Sequence, residues 1–340
     1  MAAVSRVSVL YILGMQDSNE IEVSFLSPDP KRRKYLYVGN VHLMPLIDRN
    51  EFHVIELVCG DVPADEATVP NIDVIVNAVC DPDSNKQTLA LVAGIQRQLG
   101  VPIVNRPERV LETTRDRLYQ TLASLTGVTV PAAARITPHR RADVIPMAED
   151  AGVRPPLIVR EAGTHGGKGL TLVAASDATD ELESFVFDGR DLYVTRYVDF
   201  RSSDGLYRKY RVLVVNGVPF PRHMIALPHW MIHSKDRPLL MNNRPDLQEE
   251  EQRFLSDFSP DRFPVFEALA STLGLDYFGV DFALGDDGDM IVFETNCCFR
   301  PIRDPQDPVY DGADVSRVKA AMGELIRARA GRTAPLPLER

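Results

Sequence analysis

The sequence predicts an open parallel α/β domain followed by a mixed α+β region. Three observations carry this. Up to Val128, short apolar runs such as "HVIELVCG", "IDVIVNAVC" and "VPIVN" alternate with helix-period stretches. Further on, strand-like runs meet at turn signals, as at Asn216–Gly217 between "YRVLVV" and "VPF". Between "PPLIV" and "LTLV" lies "REAGTHGGKG", residues 160–169, where four glycines and one lysine sit between two strands.

The elements follow in order. "VSVLYILG" reads as a first buried strand rather than as a signal peptide, because no small-residue cleavage site follows it. Leu89, Val92, Ile95 and Leu99 share one helical stripe, with Ser84 as N-cap and Gly100 as the stop. A second helix carries Leu118, Leu122 and Leu125 and closes at Gly127. This first domain is placed at residues 1–128. Next come "PLIVRE", the glycine loop and "LTLVAA" as strand–loop–strand, then a helix over 177–187, then "DLYVTRYV". The stretch 228–256 shows no clear period and is expected as a long loop or lid. A helix capped at Ser259, with Pro260 first, runs to Gly274. "YFGVDFAL", "GDDG" and "DMIVFETN" form a hairpin. A last helix aligns Val315, Val318, Met322 and Ile326, and 331–340 is a frayed tail.

Composition excludes some functions. With 44% hydrophobic and 25% charged residues, a packed core is expected. A net charge of -10 argues against a phosphate-neutralising nucleic-acid binder, and "KRRK" at 31–34 reads as a solvated loop. No run reaches the roughly 18 apolar residues of a membrane span. Cys59, Cys80, Cys297 and Cys298 contain no C-x-x-C, so structural zinc is not expected and free thiols fit a reducing, cytoplasmic setting.

The hairpin carries the first candidate site. Glu294 and Asn296 share one face. An even-numbered turn centred on Asp286–Asp287 sets Gly279 opposite Glu294 and Asp281 opposite Val292. Asp281 and Glu294 are then diagonal neighbours about 7–8 Å apart at the backbone. Two carboxylates and an amide oxygen so placed suit a hard cation. An odd-numbered turn breaks this arrangement. Val280, Phe282, Ile291 and Phe293 fall on the opposite face as core. The plain alternative is the wet face of a half-exposed hairpin.

The glycine loop is neither a P-loop nor a dinucleotide fingerprint, since both lead into a helix and Lys168 is followed by Gly169 and a strand. The kinase signatures H-R-D and D-F-G are missing. Loop and hairpin together resemble the ATP-grasp superfamily, and within it the carboxylate–amine ligases. The resemblance runs from about Ile72 to Pro301. "VPIVNRPERVLETTRDRLYQTLASLTGVTVP" is similar to the entry into the ATP-binding region, and "PPLIVREAGTHGGKGLTLV" to the first ATP-binding strand with its phosphate-covering loop. "YVTRYVDF" resembles the strand along adenine, "KYRVLVVNGVPFPRHMIA" the strand pair bearing an arginine, and "GVDFALGDDGDMIVFETN" the metal hairpin with its D…E-x-N order. Arg160 stands where the family usually has lysine, and Asp116–Arg117 where it has Asp-Lys. Arg196 precedes Tyr197–Val198, and "CCFRP" matches no one member.

The resemblance implies an ATP-grasp fold behind an N-terminal α/β domain, with a small subdomain at 129–200 and a C-terminal subdomain at 201–330. It implies ATP and magnesium, with manganese as a substitute. Arg117, Arg160, Gly163, Gly166, Gly167, Lys168, Gly169, Arg196, Tyr197, Val198 and Asp199 would bind the nucleotide. Asp281, Glu294 and Asn296 would hold metal, while Arg211, Lys168 and Arg300 would serve the chemistry. Arg222 is a further candidate for a substrate carboxylate, and His229, Trp230, His233 and Lys235 for the pocket wall; His165 reads as a surface residue. The implied reaction joins a small-molecule carboxylate and an amine, amino acids or a peptide, through an acyl phosphate with release of ADP and phosphate. Neither nucleic acid nor membrane is an expected partner, and a homodimer stays open. Two alternatives stand beside this: a peptide-modifying ligase or macrocyclase, and a nucleotide-binding regulator without turnover, which the Arg160 departure motivates.

Overall fold

The structure, a computed structural model, describes residues 6–19, 22–25, 33–60, 71–164, 169–258, 262–285, 288–298 and 312–331. Apolar runs of period two or none become strands, and they assemble into three principal sheets. The strands of the first are β1 (Val7–Gly14), β4 (Phe52–Cys59), β5 (Val74–Asn77) and β6 (Ile103–Val104), all parallel in the order β4-β1-β5-β6. A small hairpin of β2 (Glu22–Phe25) and β3 (Arg33–Leu36) stands apart. Helix α1 (Lys86–Leu99) buries Leu89 and Val92 and stops at Gly100, whose φ of 65° is the left-handed cap a glycine supplies. Its N-cap is Asn85, not Ser84, and no side chain caps it; the Ser84 hydroxyl bonds Asn85 Oδ1 instead (2.9 Å).

After α2 (Pro107–Leu111) and α3 (Arg115–Leu122) the chain leaves this domain. Strand β7 (Val128–Thr129) joins the third sheet. The second sheet is antiparallel, in the order β10-β9-β11-β8, from β8 (Ala133–Ile136), β9 (Leu157–Glu161), β10 (Leu170–Val173) and β11 (Leu192–Arg196). Helix α4 (Val144–Asp150) covers one of its faces through Val144, Ile145 and Ala148. The helix expected over 177–187 is only a 3-10 turn, Thr179–Leu182. Pinned between Ala178 and a bend, that stretch buries Leu182 and Phe185 without a second turn's worth of apolar stripe.

The third sheet has the order β13-β12-β14-β15-β7, from β12 (Tyr207–Val215), β13 (Val218–Leu227), β14 (Tyr277–Leu284) and β15 (Met290–Asn296). Asn216 (φ 50°) and Gly217 (φ 80°) make the expected turn between β12 and β13. The segment expected as an irregular lid instead holds α5 (Arg237–Leu240) and α6 (Pro245–Ser256). Its few apolar residues were diluted by charge, yet Ile232, Met241 and Leu247 pack into a small core against Met224, Ile225 and Leu227 of β13. The buried Glu251 binds Arg237 and fixes α5 to α6. Helix α7 (Phe263–Leu273) ends at Gly274 as expected, with Arg262 as its N-cap; the predicted Ser259–Pro260 start lies outside the described residues.

The first and third sheets share one continuous core, which α8 (Gly312–Arg329) completes through Val318, Met322 and Ile326. Asn105 staples the two: its backbone N–H donates to Asp276 Oδ2 (2.7 Å), its side-chain amide donates to the Tyr277 carbonyl (2.8 Å), and its Oδ1 accepts from the Asp276 N–H (2.7 Å). The middle sheet has a separate core built from Ile136, Leu157, Val159, Val173, Leu192 and Val194. Among the described residues no helix is long and apolar enough to cross a membrane.

Candidate functional site

The site is built from two rungs, one on each of two sheets. On the third sheet, His223, Arg211, Asp281 and Glu294 pair in turn across β13, β12, β14 and β15. Directly paired residues project to the same face, so four polar side chains line one row. On the middle sheet, Arg135, Tyr193 and Arg160 pair across β8, β11 and β9. Leu192 and Val194 face that lobe's core, so Tyr193 and its partners face the other way.

The hairpin reaches this geometry by a different route from the one the sequence suggested. Five residues separate the last pair, Leu284 and Met290, so the turn is odd-numbered. That alone would send Asp281 and Glu294 to opposite faces. A β-bulge on β15, opposite Asp281 and Phe282, leaves Phe293 unpaired and restores the shared face. Asp281 lies directly opposite Glu294 rather than diagonal to it, and Gly279 lies opposite Asn296. Phe293 leaves the core that Val280, Phe282 and Val292 fill, and packs on Phe200 instead (centroids 4.8 Å apart).

Each carboxylate has a cation. Arg211 grips both oxygens of Asp281, at 2.6 Å for Nη2–Oδ2, and the Lys209 ammonium is 3.5 Å from Oδ2. Burial works against charge on Asp281, yet Arg211 and Lys209 hold its carboxyl well below the usual carboxylate range. Glu294 takes Arg115 at 3.1 Å and accepts a hydrogen bond from Asn296 Nδ2 at 2.6 Å. Arg160 is buried, and its Nε has no hydrogen-bond partner. Burial, with the neighbouring Arg115 charge, pushes its pKa down to about 10. His233 feels charges from both lobes: burial and then Lys209 depress its pKa, Lys235 and Arg160 act the same way, and Asp236 opposes them. Lys209 also donates to the Ile232 carbonyl at 2.6 Å.

The structure therefore sets Arg211, Asp281, Glu294 and Asn296 together on the third sheet and brings Arg160 within electrostatic reach of Glu294. Gly163 and Gly169 flank the loop mouth with φ of 73° and 55°. Gly166, Gly167, Lys168 and Arg300 lie outside the described residues. Tyr197 meets Trp230 edge-on (5.8 Å) and its hydroxyl is 3.3 Å from that of Tyr207, while Val198 is half-buried beside it. Arg196 is exposed, and Asp199 pairs with Arg201. Arg117 is turned to solvent and pairs with Glu112. Arg115 takes the inward place. Two residues apart is about 200° around a helix, and Arg115 shares the stripe of Leu118 and Leu122, a signal the sequence held. Lys209 was legible too, two residues from Arg211 on one strand face. Arg222 is buried at a bulge of β13, between the pairs Arg211–His223 and Val212–Pro221.

A separate cavity of about 640 Å³, lined by Arg106, Arg109 and Thr272 among others, contains none of these groups. Among the described residues no three His, Cys, Asp or Glu side chains converge as a metal cluster. The hairpin instead offers two carboxylates and an amide oxygen, a donor set that fits a hard divalent cation better than a soft one.

No protein-family model matches the sequence, and no curated protein matches it. Solved structures do. The D-alanine–D-alanine ligase of Bacillus anthracis complexed with ATP aligns with a TM-score of 0.54 at 15% identity, over 97% of this chain and 100% of that one. The RimK domain ATP-grasp protein of Sphaerobacter thermophilus gives 0.50 at 14% identity, over 94% and 99%. A D-cycloserine synthetase gives 0.51 at 16% identity, over 94% and 99%. The chain has the ATP-grasp fold.

Proposed function

We propose that this protein is an ATP-dependent carboxylate–amine ligase that forms an amide through an acyl phosphate and releases ADP and phosphate. One observation supports it most: the buried Arg160, whose Nε has no hydrogen-bond partner, lies within electrostatic reach of Glu294 of the Asp281–Glu294 rung. Opposed cations and carboxylates suit a polyphosphate carrying a hard cation. A D-alanine–D-alanine ligase of similar fold was solved with ATP, which is consistent with nucleotide use here.

Arg160 and Arg115 bind phosphate oxygens, and the orphan Nε gains a partner when they do. Magnesium, when bound, lowers the charge between phosphates and hairpin. Asp281 and Glu294 with Asn296 are the residues that hold it. Because Asp281 fixes Arg211 by two bonds, the guanidinium is oriented in advance toward the transferred phosphoryl group. Lys209 adds a second positive charge there. A substrate carboxylate oxygen attacks the terminal phosphorus and ADP leaves. The amine then attacks the acyl carbon, phosphate leaves, and the amine's proton passes to a base. The chain's contribution is position and charge. Glycines 163, 166, 167 and 169 with Lys168 are assigned to closing over phosphate, and Tyr197 with Trp230 to the base. The substrates are small molecules of the amino-acid class. All four cysteines are free, in keeping with the cytoplasm.

Titration with a non-hydrolysable ATP analogue, with and without magnesium, tests the reading on wild type and Glu294→Ala. Magnesium-dependent binding that weakens in the variant supports it. An amino-acid screen should then release ADP and phosphate together; AMP and pyrophosphate would rule the acyl-phosphate route out.

A further inference from the structure

The middle lobe has its own core, whereas the first and third sheets share one. Its angle to the rest is therefore not set by a common apolar interior. Individual contacts outside that interior must help to set it, polar ones among them. One such contact starts from Asp83, in the loop after β5. Its Oδ1 is 2.6 Å from Arg135 Nη2, and both of its oxygens accept from the Tyr193 hydroxyl at 2.9 Å. Its Cβ also lies 3.7 Å from where a side chain on Gly163 would begin, at the base of the glycine loop.

Arg135 and Tyr193 belong to the rung that ends in Arg160. The Arg135 guanidinium lies over the Tyr193 ring at 4.7 Å, and Arg115 lies over it at 5.8 Å. Asp191 holds Arg135 from the far side at 2.9 Å, and Asp116 stands 4.0 Å away. Burial, then Asp83, keeps the Tyr193 phenol protonated, so it remains a donor to Asp83. Tyr193 is thus a buried plate with two arginines against it and one carboxylate fixing its edge.

We propose that Asp83 is a positioning residue of the nucleotide lobe. It reaches from the N-terminal domain to Tyr193 and Arg135, sets the lobe's angle, and so aims Arg160 and the glycine-loop base at the Asp281–Glu294 rung. Asp83 itself touches no nucleotide. It also lies beside the C-terminal end of β5, next to β1, where the strand order β4-β1-β5-β6 reverses. Crevices at such reversals commonly take ligands. A ligand there would move Asp83 and the nucleotide lobe together, and by reciprocity nucleotide would tighten that ligand.

The test uses Asp83→Asn and Tyr193→Phe, singly and together, with fold checked by circular dichroism. Small-angle X-ray scattering on nucleotide-free protein should show both single variants with a larger radius of gyration than wild type. Magnesium–ATP analogue should bind each about tenfold more weakly, within the usual range for coupled sites. The double variant should lose less than the sum of the two singles, because both alter the Tyr193–Asp83 contact, while Tyr193→Phe alone keeps the Asp83–Arg135 pair. Tyr193→Phe removes a single oxygen and serves if Asp83→Asn fails to fold. Unchanged scattering in both variants overturns the proposal. The affinity arm rests on the ligase reading; a wild type that binds no nucleotide sinks that reading, while scattering still judges Asp83.

Discussion

Asp281 and Glu294 face each other across one rung of the β14–β15 hairpin, and only the unpaired Phe293 makes that possible. The rung places two carboxylates beside Arg211, Lys209 and Arg115. Removing the Asp281 charge leaves the half-buried Arg211 without its carboxylate and Lys209 with only the Ile232 carbonyl. Asp281→Ala is expected to cost roughly 3–5 kcal/mol, as broken buried pairs do. Urea unfolding measures it; a loss under about 1 kcal/mol would mean the pair is solvated like a surface bridge.

Arg160 predicts effects of opposite sign. Its charge is buried, its Nε is unpartnered and Arg115 is a like charge nearby. Arg160→Met should therefore stabilise the nucleotide-free protein, by about 1 kcal/mol on the scale of apolar replacements for buried charge. The same variant should bind the ATP analogue far more weakly. Strained, costly groups kept at a binding site are expected to show this trade. Thermal unfolding and titration on one preparation decide it. A destabilised variant would mean that Arg160 already has compensation in the free protein.

Much of this was legible in the sequence, and the rest was hidden for identifiable reasons. The stripe of α1 and the Asn216–Gly217 turn are local patterns, and they fold as local chemistry requires. The β14–β15 hairpin was legible in composition but not in register. Its odd turn and its bulge each shift pairing by one residue, and their effects cancel for the shared face. Nothing in the residue pattern marks a bulge at Phe293. The stretch 177–187 carries enough helix formers to suggest a helix, but tertiary packing of Leu182 and Phe185 decided otherwise. Helix α6 was obscured by its charge, since a surface helix needs only a narrow apolar stripe and Leu247 supplies most of it. Asp83 was beyond reach, because its partners lie 52 and 110 positions away.

Arg115 and Arg117 separate inward from outward on α3. Arg115 is close to Glu294 and Arg160, whereas Arg117 pairs with Glu112 at the surface. Arg115→Ala should weaken nucleotide binding by about tenfold or more, since charge-assisted hydrogen bonds contribute on the order of 1.5–3 kcal/mol. Arg117→Ala should change affinity little, and stability by no more than about 0.5 kcal/mol. Calorimetry on the two variants side by side reads the contrast. Equal losses would place both arginines on the nucleotide.

His233 gives the pH dependence. Burial and Lys209 lower its pKa in the folded chain, with Lys235 and Arg160 adding to the effect. A histidine so depressed binds fewer protons folded than unfolded. Its contribution to stability is thus complete above the unfolded value of about 6.5 and is lost as pH falls through the folded one. His233→Gln should flatten that slope between neutral pH and about 5, while wild type loses stability across it. Nucleotide should reverse the sign of the local field. Phosphates among Lys209 and Arg160 cancel the cations that depress His233, so binding should draw a proton onto the imidazole. Titrations near pH 6.5 in two buffers of different ionisation enthalpy count that proton. Uptake in wild type and none in His233→Gln is the expected result. Equal heats in both buffers for wild type would place His233 outside the phosphate field, and would leave Lys209 as the cation that meets the nucleotide from β12.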